Sequence, residues 1–316
     1  MSITRDDIAA AAVRIDGRVR RTPLVAVDSG AFPGQLWLKC EFLQHTGSFK
    51  ARGALNRVLA ARTAGELDPA VGIVVASGGN AGLANAYAAR QLGVPATVFV
   101  PATAPSVKVA RLREQGATVV QHGAEYAQAY EAAIKHAADT GAVYCHAYDQ
   151  PEIVAGAGCV GSELVDQLDG QVDTVLVATG GGGLMAGIAA AVEGVATVVA
   201  VEPHTIPTLH AALAGGGPVD VPVSGVAADS LGARRVGDIA YAVAVRTGVH
   251  SVLVSDEEIV AARGRLWADW RIAVEHGAAT GFAALTGGAY VPAENERVVV
   301  VLCGANTDPA DLDPSS

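Results

Sequence analysis

Between residues 71 and 146 the chain alternates short apolar runs with longer alanine-rich segments. The apolar runs cover residues 71–76, 96–100, 117–121 and 142–146, and they predict strands. Three segments between these runs predict helices: one that ends at Leu92, one at residues 106–115 and one at residues 124–140. Because short strands that alternate with helices form a parallel sheet buried on both faces, this stretch predicts an α/β fold.

The same alternation begins again after Pro151. Strands are predicted at residues 172–178, 197–201 and 297–302, and helices are predicted through residues 163–168 and from Leu184 onward. The chain therefore contains two blocks of βα units that meet near residue 150.

Two capping signals predict where helices begin. Thr4 is a suitable N-cap for a first helix that would place Ile8, Ala12 and Val13 on one face. Residues 255–258 have the Ser-x-x-Glu form of a capping box and predict the start of a long helix.

Composition restricts the class of protein. Half of the residues are hydrophobic (51%) and 17% are charged, which excludes a disordered or fibrous chain. The net charge of −10 argues against nucleic-acid binding, which needs clustered lysine and arginine. No apolar run approaches the roughly 20 residues of a membrane span, and Asp6 and Asp7 interrupt any signal-peptide core. The four cysteines are widely spaced without a CxxC pair, so we expect a soluble cytoplasmic protein with reduced thiols.

Glycine is over-represented, with 37 of 316 residues against a typical content of about 7%. Polar or glycine-rich segments follow three predicted strands, at residues 77–82, 179–183 and 303–306. Ligands of open α/β sheets bind beyond the carboxyl ends of the strands. We therefore expect these three segments to face one cleft between the two blocks.

Residues 179–183, a threonine followed by four glycines, lie between a predicted strand and a predicted helix. Their backbone N–H groups and the positive end of the helix can bind a phosphate, although a simple tight turn has the same sequence. Glu202 follows Gly182 by about the 20 residues that separate the glycines from the acidic residue in dinucleotide-binding folds. A nicotinamide cofactor therefore stays open on spacing alone.

A second segment, residues 44–53, surrounds Lys50 with small polar residues and Phe49. Most lysines are solvated surface charges, but this setting is typical of a pocket wall. A lysine that loses water there has a lowered pKa and can form a Schiff base.

The sequence Ser-Phe-Lys-Ala-Arg-Gly-Ala at residues 48–54 resembles the lysine motif of the fold-type II (tryptophan synthase β-like) pyridoxal-phosphate enzymes. Within them the chain resembles the serine/threonine dehydratase family, which also includes serine racemases. Four motifs match in the expected order over essentially the whole chain. The resemblance implies two open, mostly parallel twisted sheets flanked by helices, with the active site in the cleft between domains. It also implies a large cofactor-binding domain of residues 1–48 and 150–316 and a small domain of residues 49–149.

The resemblance assigns roles to particular residues. Lys50 would hold pyridoxal 5′-phosphate as a Schiff base, with Phe49 packed on its ring and Cys303 beside the pyridine nitrogen. The phosphate would bind at Gly180, Gly181, Gly182, Gly183 and the N–H group of Leu184. Asn80 would hydrogen-bond the 3′-oxygen of the cofactor. The substrate carboxylate would bind at Ser77, Gly78, Gly79, Asn80 and Ala81.

The residues alone leave other interpretations open. Asn80 could be a turn residue and Ser77 a helix N-cap, and a lone buried cysteine such as Cys303 is commonly a small hydrophobe. If Cys303 is beside the ring, its thiol makes the ring a weaker electron sink than a carboxylate would, which suits β-elimination. Glu275 resembles the acidic residue of a family segment near the ring, although His276 replaces the usual proline.

The expected activity is β-elimination of L-threonine, L-serine or both to 2-oxobutanoate or pyruvate and ammonia, with Lys50 as general base. The alternatives are a serine racemase, a lyase for another β-hydroxy amino acid such as 3-hydroxyaspartate or phenylserine, a nicotinamide-dependent oxidoreductase, and a non-catalytic metabolite sensor. Racemases place a serine base where this chain has Gly78, which carries no exchangeable side-chain proton. Racemisation is therefore disfavoured.

Further expectations concern ions and assembly. Some relatives bind a divalent cation through Glu-Pro and an aspartate six residues after the glutamate, but Glu202-Pro203 is followed at that position by Thr208. Because the lost carboxylate weakens such a site, no metal ligand is predicted, and a divalent or monovalent cation is left open without support. The resemblance implies a homodimer. The chain stops soon after residue 304, so we expect no C-terminal regulatory domain.

Overall fold

The structure is a computed structural model that describes residues 3–28, 30–308, 310 and 312. Its strands are β1 (Leu24–Ala26), β2 (Gln35–Lys39), β3 (Ile73–Ala76), β4 (Ala96–Val100), β5 (Thr118–Gln121), β6 (Val143–Tyr144), β7 (Thr174–Ala178), β8 (Thr197–Pro203), β9 (His250–Val254) and β10 (Arg297–Val301). Its helices are α1 (Arg5–Ile15), α2 (Lys50–Thr63), α3 (Asn80–Leu92), α4 (Ser106–Glu114), α5 (Tyr126–Thr140), α6 (Pro151–Gln167), α7 (Gly183–Ala191), α8 (Thr208–Gly215), α9 (Ala228–Leu231), α10 (Asp238–Thr247), α11 (Asp256–Trp270) and α12 (His276–Thr286). Within the described residues, no helix has both the length and the apolar character that a membrane span requires.

The strands form two sheets. The larger has six strands in the order β1-β2-β10-β7-β8-β9, and the smaller has four in the order β5-β4-β3-β6. Only the β1–β2 pair is antiparallel among the described strand pairs. Strands β3 and β7 are buried along their whole length, which requires helices on both faces of each sheet. The predicted α/β fold with two mostly parallel sheets is confirmed.

The N-terminal segment belongs to the larger sheet. Strand β2 pairs in parallel with β10, with Leu38 opposite Val300. Both strands therefore end at the same edge, where the Phe42 N–H donates to the Leu302 carbonyl at 3.0 Å. This pairing brings the chain that leads to Lys50 next to the chain that leaves β10.

Glycines allow three helices to pack closely between the sheets. A Cβ added at Gly53 in α2 would lie 2.7 Å from the carbonyl oxygen of Ile153 in α6, and one at Gly156 would lie 2.7 Å from that of Arg52. A Cβ added at Gly187 in α7 would lie 2.5 Å from the nitrogen of Gly158 in α6. At such distances from a neighbouring backbone, a Cβ can be accommodated only if the helices move apart. Part of the glycine excess therefore serves helix packing rather than turns.

The two predicted helix starts are present. Thr4 caps α1 and its side chain accepts a hydrogen bond from the Asp7 N–H, while Ser255 and Glu258 form a capping box at the start of α11. The predicted buried face of α1 is correct at Ile8 but wrong at Val13, which is 80% exposed. The helix packs through Ala11 and Ile15 instead, one helical turn apart.

Candidate active site

Lys50 begins α2 beside the end of strand β10. Ser48 forms an isolated antiparallel bridge with Gly304, and the Phe49 N–H donates to the Cys303 carbonyl at 3.1 Å. These two contacts fasten the residues before the helix to the segment that follows β10. The lysine motif and the cysteine motif, which are about 250 residues apart in the sequence, are therefore neighbours.

The Lys50 amine lies in poorly hydrated surroundings. Its Nζ donates to the carbonyl oxygen of Ala147 at 2.7 Å and lies 5.0 Å from the centroid of the Phe49 ring. Desolvation lowers the pKa of Lys50 to about 8, against the opposing effects of the Cys303 and Glu275 side chains. A lysine with this pKa is substantially neutral just above physiological pH, and the neutral amine is the form that acts as a nucleophile or a base.

Two side chains, those of Asn306 and Glu275, orient the Asn80 amide. The Nδ2 atom of Asn306 donates to Asn80 Oδ1 at 2.7 Å and to the Thr46 carbonyl at 2.8 Å. The Nδ2 atom of Asn80 in turn donates to Glu275 Oε1 at 2.8 Å. Because the Asn80 oxygen already accepts a hydrogen bond, its remaining N–H is the group left to bind a ligand oxygen.

Glu275 and Cys303 are buried groups whose pKa values are both raised. Burial raises the pKa of Glu275 to about 7, although the hydrogen bond from Asn80 acts in the opposite direction. Burial also raises the pKa of Cys303, and the nearby Glu275 carboxyl adds to this effect. A Cβ added at Gly304 would lie 2.4 Å from Glu275 Oε1, so the glycine lets the backbone pass close to this carboxyl group. The thiol at the end of β10 therefore carries no charge at neutral pH.

The four glycines form a loop of bare backbone at the start of α7. A Cβ would lie 2.7 Å from the Leu231 oxygen at Gly180, 2.4 Å from the Tyr148 ring at Gly181 and 2.6 Å from the Tyr148 oxygen at Gly183, and Gly182 has a φ of +83°. No side chain fits at these positions. The N–H groups of the first turn of α7, which include that of Leu184, have no partner within the helix and can bind an anion.

The predicted carboxylate-binding residues lie together after β3 and in the first turn of α3: Ser77, Gly78, Gly79, Asn80 and Ala81. The Gly79 N–H donates to Ser77 Oγ at 3.3 Å, and Gly79 is the N-cap residue of α3. The first turn of α3 therefore offers unpaired N–H groups and a positive helix end. A Cβ at Gly78 would meet only Val100 Cγ1, at 3.5 Å, so a side chain has room there and is simply absent.

Cationic side chains lie on the outer side of this loop. Lys108 and Arg111 line the same pocket as Gly78 and Asn80. Lys108 in α4 also forms an ion pair with Asp229 in α9, which lines the same pocket. This arrangement places positive charge beside the predicted carboxylate site.

Sequence analysis did not identify Ala147 and Tyr148, which join the glycine loop to the lysine. Ala147 supplies the carbonyl that accepts the Lys50 hydrogen bond, and the Tyr148 ring covers Gly181. The only signal was their place directly after the predicted strand at residues 142–146. Asn306 was included in a motif, but its contact with Asn80 depends on chain pairing that spacing does not reveal.

Glu202 has its oxygens occupied by the protein. It is fully buried and accepts hydrogen bonds from the Leu209 N–H at 2.7 Å, the His210 N–H at 2.9 Å and the Ser251 hydroxyl at 2.7 Å. The Thr208 hydroxyl lies 3.1 Å from Glu202 Oε1 and donates to the Gly180 carbonyl at 2.6 Å. Neither oxygen is free for a ribose hydroxyl. Across residues 3–28, 30–308, 310 and 312, no three His, Cys, Asp or Glu side chains cluster as a metal site would require.

The comparison with known families defines the class of protein. The family model described as pyridoxal-phosphate dependent enzyme matches residues 15–304. The chain belongs to this family, and its cofactor is pyridoxal phosphate.

The chain is similar to ammonia-lyases, a dehydratase and a racemase of this family. The chain is 34% identical to the L-threonine ammonia-lyase of Thermotoga maritima, over 97% of this chain and 76% of that protein. It is 38% identical to the phenylserine dehydratase of Ralstonia pickettii, over 96% of this chain and 93% of that protein. Its fold matches the structure of maize serine racemase with a TM-score of 0.90 and 30% identity, over 99% of this chain and 96% of that chain. The predicted resemblance to fold-type II enzymes is confirmed.

The residues present suit this cofactor. The glycine loop leaves a cradle that any Cβ would fill, next to the unpaired N–H groups of α7. Within the part of the chain that the structure describes, the buried hydroxyl of Ser48 has no hydrogen-bond partner, two residues before the lysine. A phosphate cradle, a desolvated lysine and an oriented amide donor together match the phosphate, the carbonyl carbon and the ring oxygen of pyridoxal phosphate.

Proposed function

We propose that this chain catalyses the β-elimination of L-threonine, L-serine or both, releasing 2-oxobutanoate or pyruvate together with ammonia. One observation carries the proposal: Lys50, with its pKa lowered to about 8, lies beside the neutral thiol of Cys303. An uncharged group at the predicted ring-nitrogen position makes the cofactor ring a weaker electron sink than a carboxylate would, which suits β-elimination. The relatives named threonine ammonia-lyase support the same activity.

The chain's own residues would divide the work as follows. Lys50 Nζ would hold the cofactor covalently, and Phe49 would pack against its ring. The glycine loop and the Leu184 N–H would bind its phosphate. Asn80 would hydrogen-bond its ring oxygen. When bound, the cofactor supplies an electrophilic carbon and withdraws electrons from the substrate. Once released, the Lys50 amine would accept the substrate's α-proton, and the Ala147 carbonyl keeps it pointed at the cleft.

The loop at the start of α3 would bind the substrate carboxylate. Its N–H groups and the positive end of α3 favour an anion, and Lys108 and Arg111 add charge nearby. With the carboxylate held there, Gly78 presents no hydroxyl to the face of the substrate opposite Lys50. Elimination needs one base, whereas racemisation needs a second one. The loop therefore supports a lyase over a racemase.

A substrate panel tests the proposed function. Purified, cofactor-loaded protein is incubated with L-threonine, L-serine and other β-hydroxy amino acids, and 2-oxo acid, ammonia and D-serine are measured. We expect equal amounts of 2-oxo acid and ammonia, with D-serine formed far more slowly than pyruvate. Absence of 2-oxo acid with every substrate contradicts the proposal, and D-serine as the main product favours the racemase.

We also propose the domain division and assembly implied by the family resemblance. Residues 1–48 and 150–316 would form the cofactor-binding domain and residues 49–149 the small domain, and the chain would be a cytoplasmic homodimer. The described cysteines support a reducing compartment, because Cys40, Cys145, Cys159 and Cys303 are all free thiols. Light scattering that returns the 31.9 kDa of one chain contradicts the dimer.

A further inference from the structure

The peptide unit between Ala147 and Tyr148 forms hydrogen bonds on both of its sides. Its carbonyl, on Ala147, accepts the hydrogen bond from Lys50 Nζ at 2.7 Å. Its N–H, on Tyr148, donates to Nδ1 of His146 at 3.1 Å. Because a trans peptide unit is planar and directs its N–H and C=O to opposite sides, fixing the N–H on the imidazole also fixes the carbonyl that bonds the lysine.

Nδ1 of His146 accepts a second backbone hydrogen bond, from the Asp149 N–H at 2.9 Å. A backbone N–H group only donates, so the nitrogen that receives two of them carries no proton. The imidazole thereby closes residues 146–149 into a compact segment, which we call the histidine turn. The Gln150 side chain accepts from the His146 N–H at 2.8 Å and fastens the start of this turn.

The end of the histidine turn is attached to the glycine loop. The Asp149 carboxylate accepts the N–H groups of Asp238 and Ile239 at the start of α10, both at 3.1 Å. The N–H of Gly237, the residue before that helix, donates to the Gly181 carbonyl at 3.1 Å. The turn therefore connects the predicted phosphate site with the lysine.

The surroundings of the imidazole keep it neutral. The titratable and charged groups that face it are Tyr130 of α5, Tyr144 of β6, Tyr148 and Asp149 of the turn itself, and Lys50 of α2. Burial lowers the pKa of His146 below its ordinary value of 6.5; Asp149 opposes this shift and Lys50 adds to it. The direction of the shift agrees with the two hydrogen bonds that Nδ1 accepts.

We propose that His146 is a positioning residue for Lys50, because its unprotonated Nδ1 holds the turn that presents the Ala147 carbonyl to the lysine amine. The inference rests on the proposed function, in which this amine accepts the substrate's α-proton. A proton on Nδ1 would break both hydrogen bonds of the turn and free the carbonyl to rotate away. The lysine amine would then lose the contact that directs it into the cleft.

Two variants separate the acceptor nitrogen from the shape of the ring. His146→Phe keeps a ring without an acceptor, and His146→Asn keeps an acceptor that does not titrate. The cofactor-loaded proteins are incubated with L-alanine in D₂O, and NMR follows the exchange of its α-proton. In this reaction the α-C–H bond breaks, the proton passes to the lysine amine and a deuteron from solvent returns, so no leaving group is needed.

We expect the exchange rate to fall at least about tenfold in His146→Phe, because a small displacement of a reacting group is costly. His146→Asn is expected to recover most of this loss. His122→Phe replaces an exposed histidine and is the matched control, which is expected to follow the wild type.

The pH dependence distinguishes positioning from a purely structural role. As the pH falls below 6.5, the wild type is expected to lose exchange activity that His146→Asn keeps, because only the imidazole gains a proton. Lys50 and Glu275 titrate in both proteins, so the ratio of the two rates isolates His146. Nitrogen NMR of the histidine-labelled, cofactor-loaded wild type is expected to show an unprotonated Nδ1 at about pH 7, in the signal that His146→Asn lacks.

Three results overturn the inference and leave the proposed lyase intact: undiminished exchange in His146→Phe, a rate ratio that does not change below pH 6.5, or a protonated Nδ1. If His146→Phe does not fold, the rate ratio and the nitrogen signal decide. Exchange of L-alanine that depends on His146, without 2-oxo acid from any β-hydroxy amino acid, supports the inference and contradicts the lyase. A wild type that neither exchanges L-alanine nor releases 2-oxo acid overturns both.

Discussion

The surroundings of Glu275 shift the pKa of its carboxyl group strongly. Its carboxyl group is 7% exposed, and burial raises its pKa to about 7. It accepts a hydrogen bond from the Asn80 amide and borders Gly304. This carboxyl group therefore helps to fix the orientation of the Asn80 amide.

Replacing Glu275 with glutamine is predicted to change how stability depends on pH. Because the folded pKa is raised above the ordinary value of 4.5, the folded chain binds more protons than the unfolded chain between these two pKa values. The stabilisation from this group is fully present below about pH 4.5 and is lost as the pH rises through about 7. Relative to Glu275→Gln, we expect the wild-type unfolding free energy to fall by up to about 3 kcal/mol across this window.

Urea unfolding at about pH 5 and about pH 8 measures this difference. Glu294→Gln removes an exposed carboxyl and serves as the matched control, which is expected to follow the wild type. An identical pH dependence in wild type and Glu275→Gln contradicts the raised pKa.

At this scale the sequence predicted residues that lie within continuous motifs. The segment around Lys50 and the four glycines could be recognised because their chemistry is local. The partners of those residues could not be, since the Ala147 carbonyl and the Asn306 amide reach the site through pairings across 97 and 226 residues. The spacing of residues in the sequence does not indicate hydrogen bonds between residues so far apart.

Among the elements, the contact between α2 and α6 depends on two glycines. A Cβ at Gly156 would lie 2.7 Å from the Arg52 oxygen and 2.8 Å from Gly53 Cα. We expect Gly156→Ala to lower the unfolding free energy by about 1–3 kcal/mol, because the helices must separate. Gly264 in α11 has no neighbour within 4 Å of an added Cβ, so Gly264→Ala is expected to stabilise by about 0.5–1 kcal/mol. Urea unfolding measures both variants, and equal effects contradict the proposed close packing.

The start of α8 supports both Glu202 and the glycine loop through hydrogen bonds. Glu202 is satisfied by two N–H groups of α8 and the Ser251 hydroxyl, while Thr208 bonds the Gly180 carbonyl. We therefore predict that EDTA, or added Mg²⁺ or Ca²⁺, leaves both the turnover rate and the Tm of the cofactor-loaded protein unchanged. A Tm that falls with EDTA and recovers with either ion is the contradicting result.

The sequence predicted best the elements with a complete local pattern. Strand β4 has the predicted bounds, whereas the predicted strand at residues 142–146 pairs only over Val143–Tyr144. Strand β9 was not predicted, because it is an edge strand with half-buried residues that show no continuous apolar run. Helix α2 was not predicted either, since its buried residues include Arg52 and Asn56 and its apolar pattern is weak.

At the scale of the whole molecule, Arg52 connects separate parts of the chain. Its fully buried guanidinium bonds both oxygens of Glu41 at 2.8 and 2.9 Å and both oxygens of Glu163 at 2.7 and 3.0 Å. It also donates to the Arg20 carbonyl at 3.1 Å. The helix that begins with Lys50 is thereby fixed to the segment after β2 and to α6.

Arg52→Gln is predicted to lower the unfolding free energy by about 3–5 kcal/mol, because the fully buried Glu41 carboxylate loses its ion-pair partner and Glu163 keeps only Lys39. Arg52→Lys keeps the charge but not the forked geometry, and an intermediate loss is expected. Lys135→Gln removes one side of an exposed pair with Asp139 and is expected to cost at most about 0.5 kcal/mol. Urea unfolding measures these losses. Equal losses of unfolding free energy in Arg52→Gln and Lys135→Gln would contradict the structural role of Arg52.

The sequence predicted the overall architecture more completely than it predicted which segments meet at the candidate active site. The alternation of strands and helices predicted both blocks, and the structure adds which strands share a sheet. The N-terminal segment extends the larger sheet because β2 pairs with β10, a contact between residues 262 positions apart.

The most direct test of the account is to locate the lysine that carries the cofactor. The chain has four lysines, Lys39, Lys50, Lys108 and Lys135. Borohydride reduction of the cofactor-loaded protein, followed by peptide mass spectrometry, marks the lysine that is bound as a Schiff base. We predict that the label is found on Lys50 alone in the wild type and that Lys50→Ala carries no label. A label on Lys39, Lys108 or Lys135, or an unlabelled Lys50 in the loaded wild type, contradicts it.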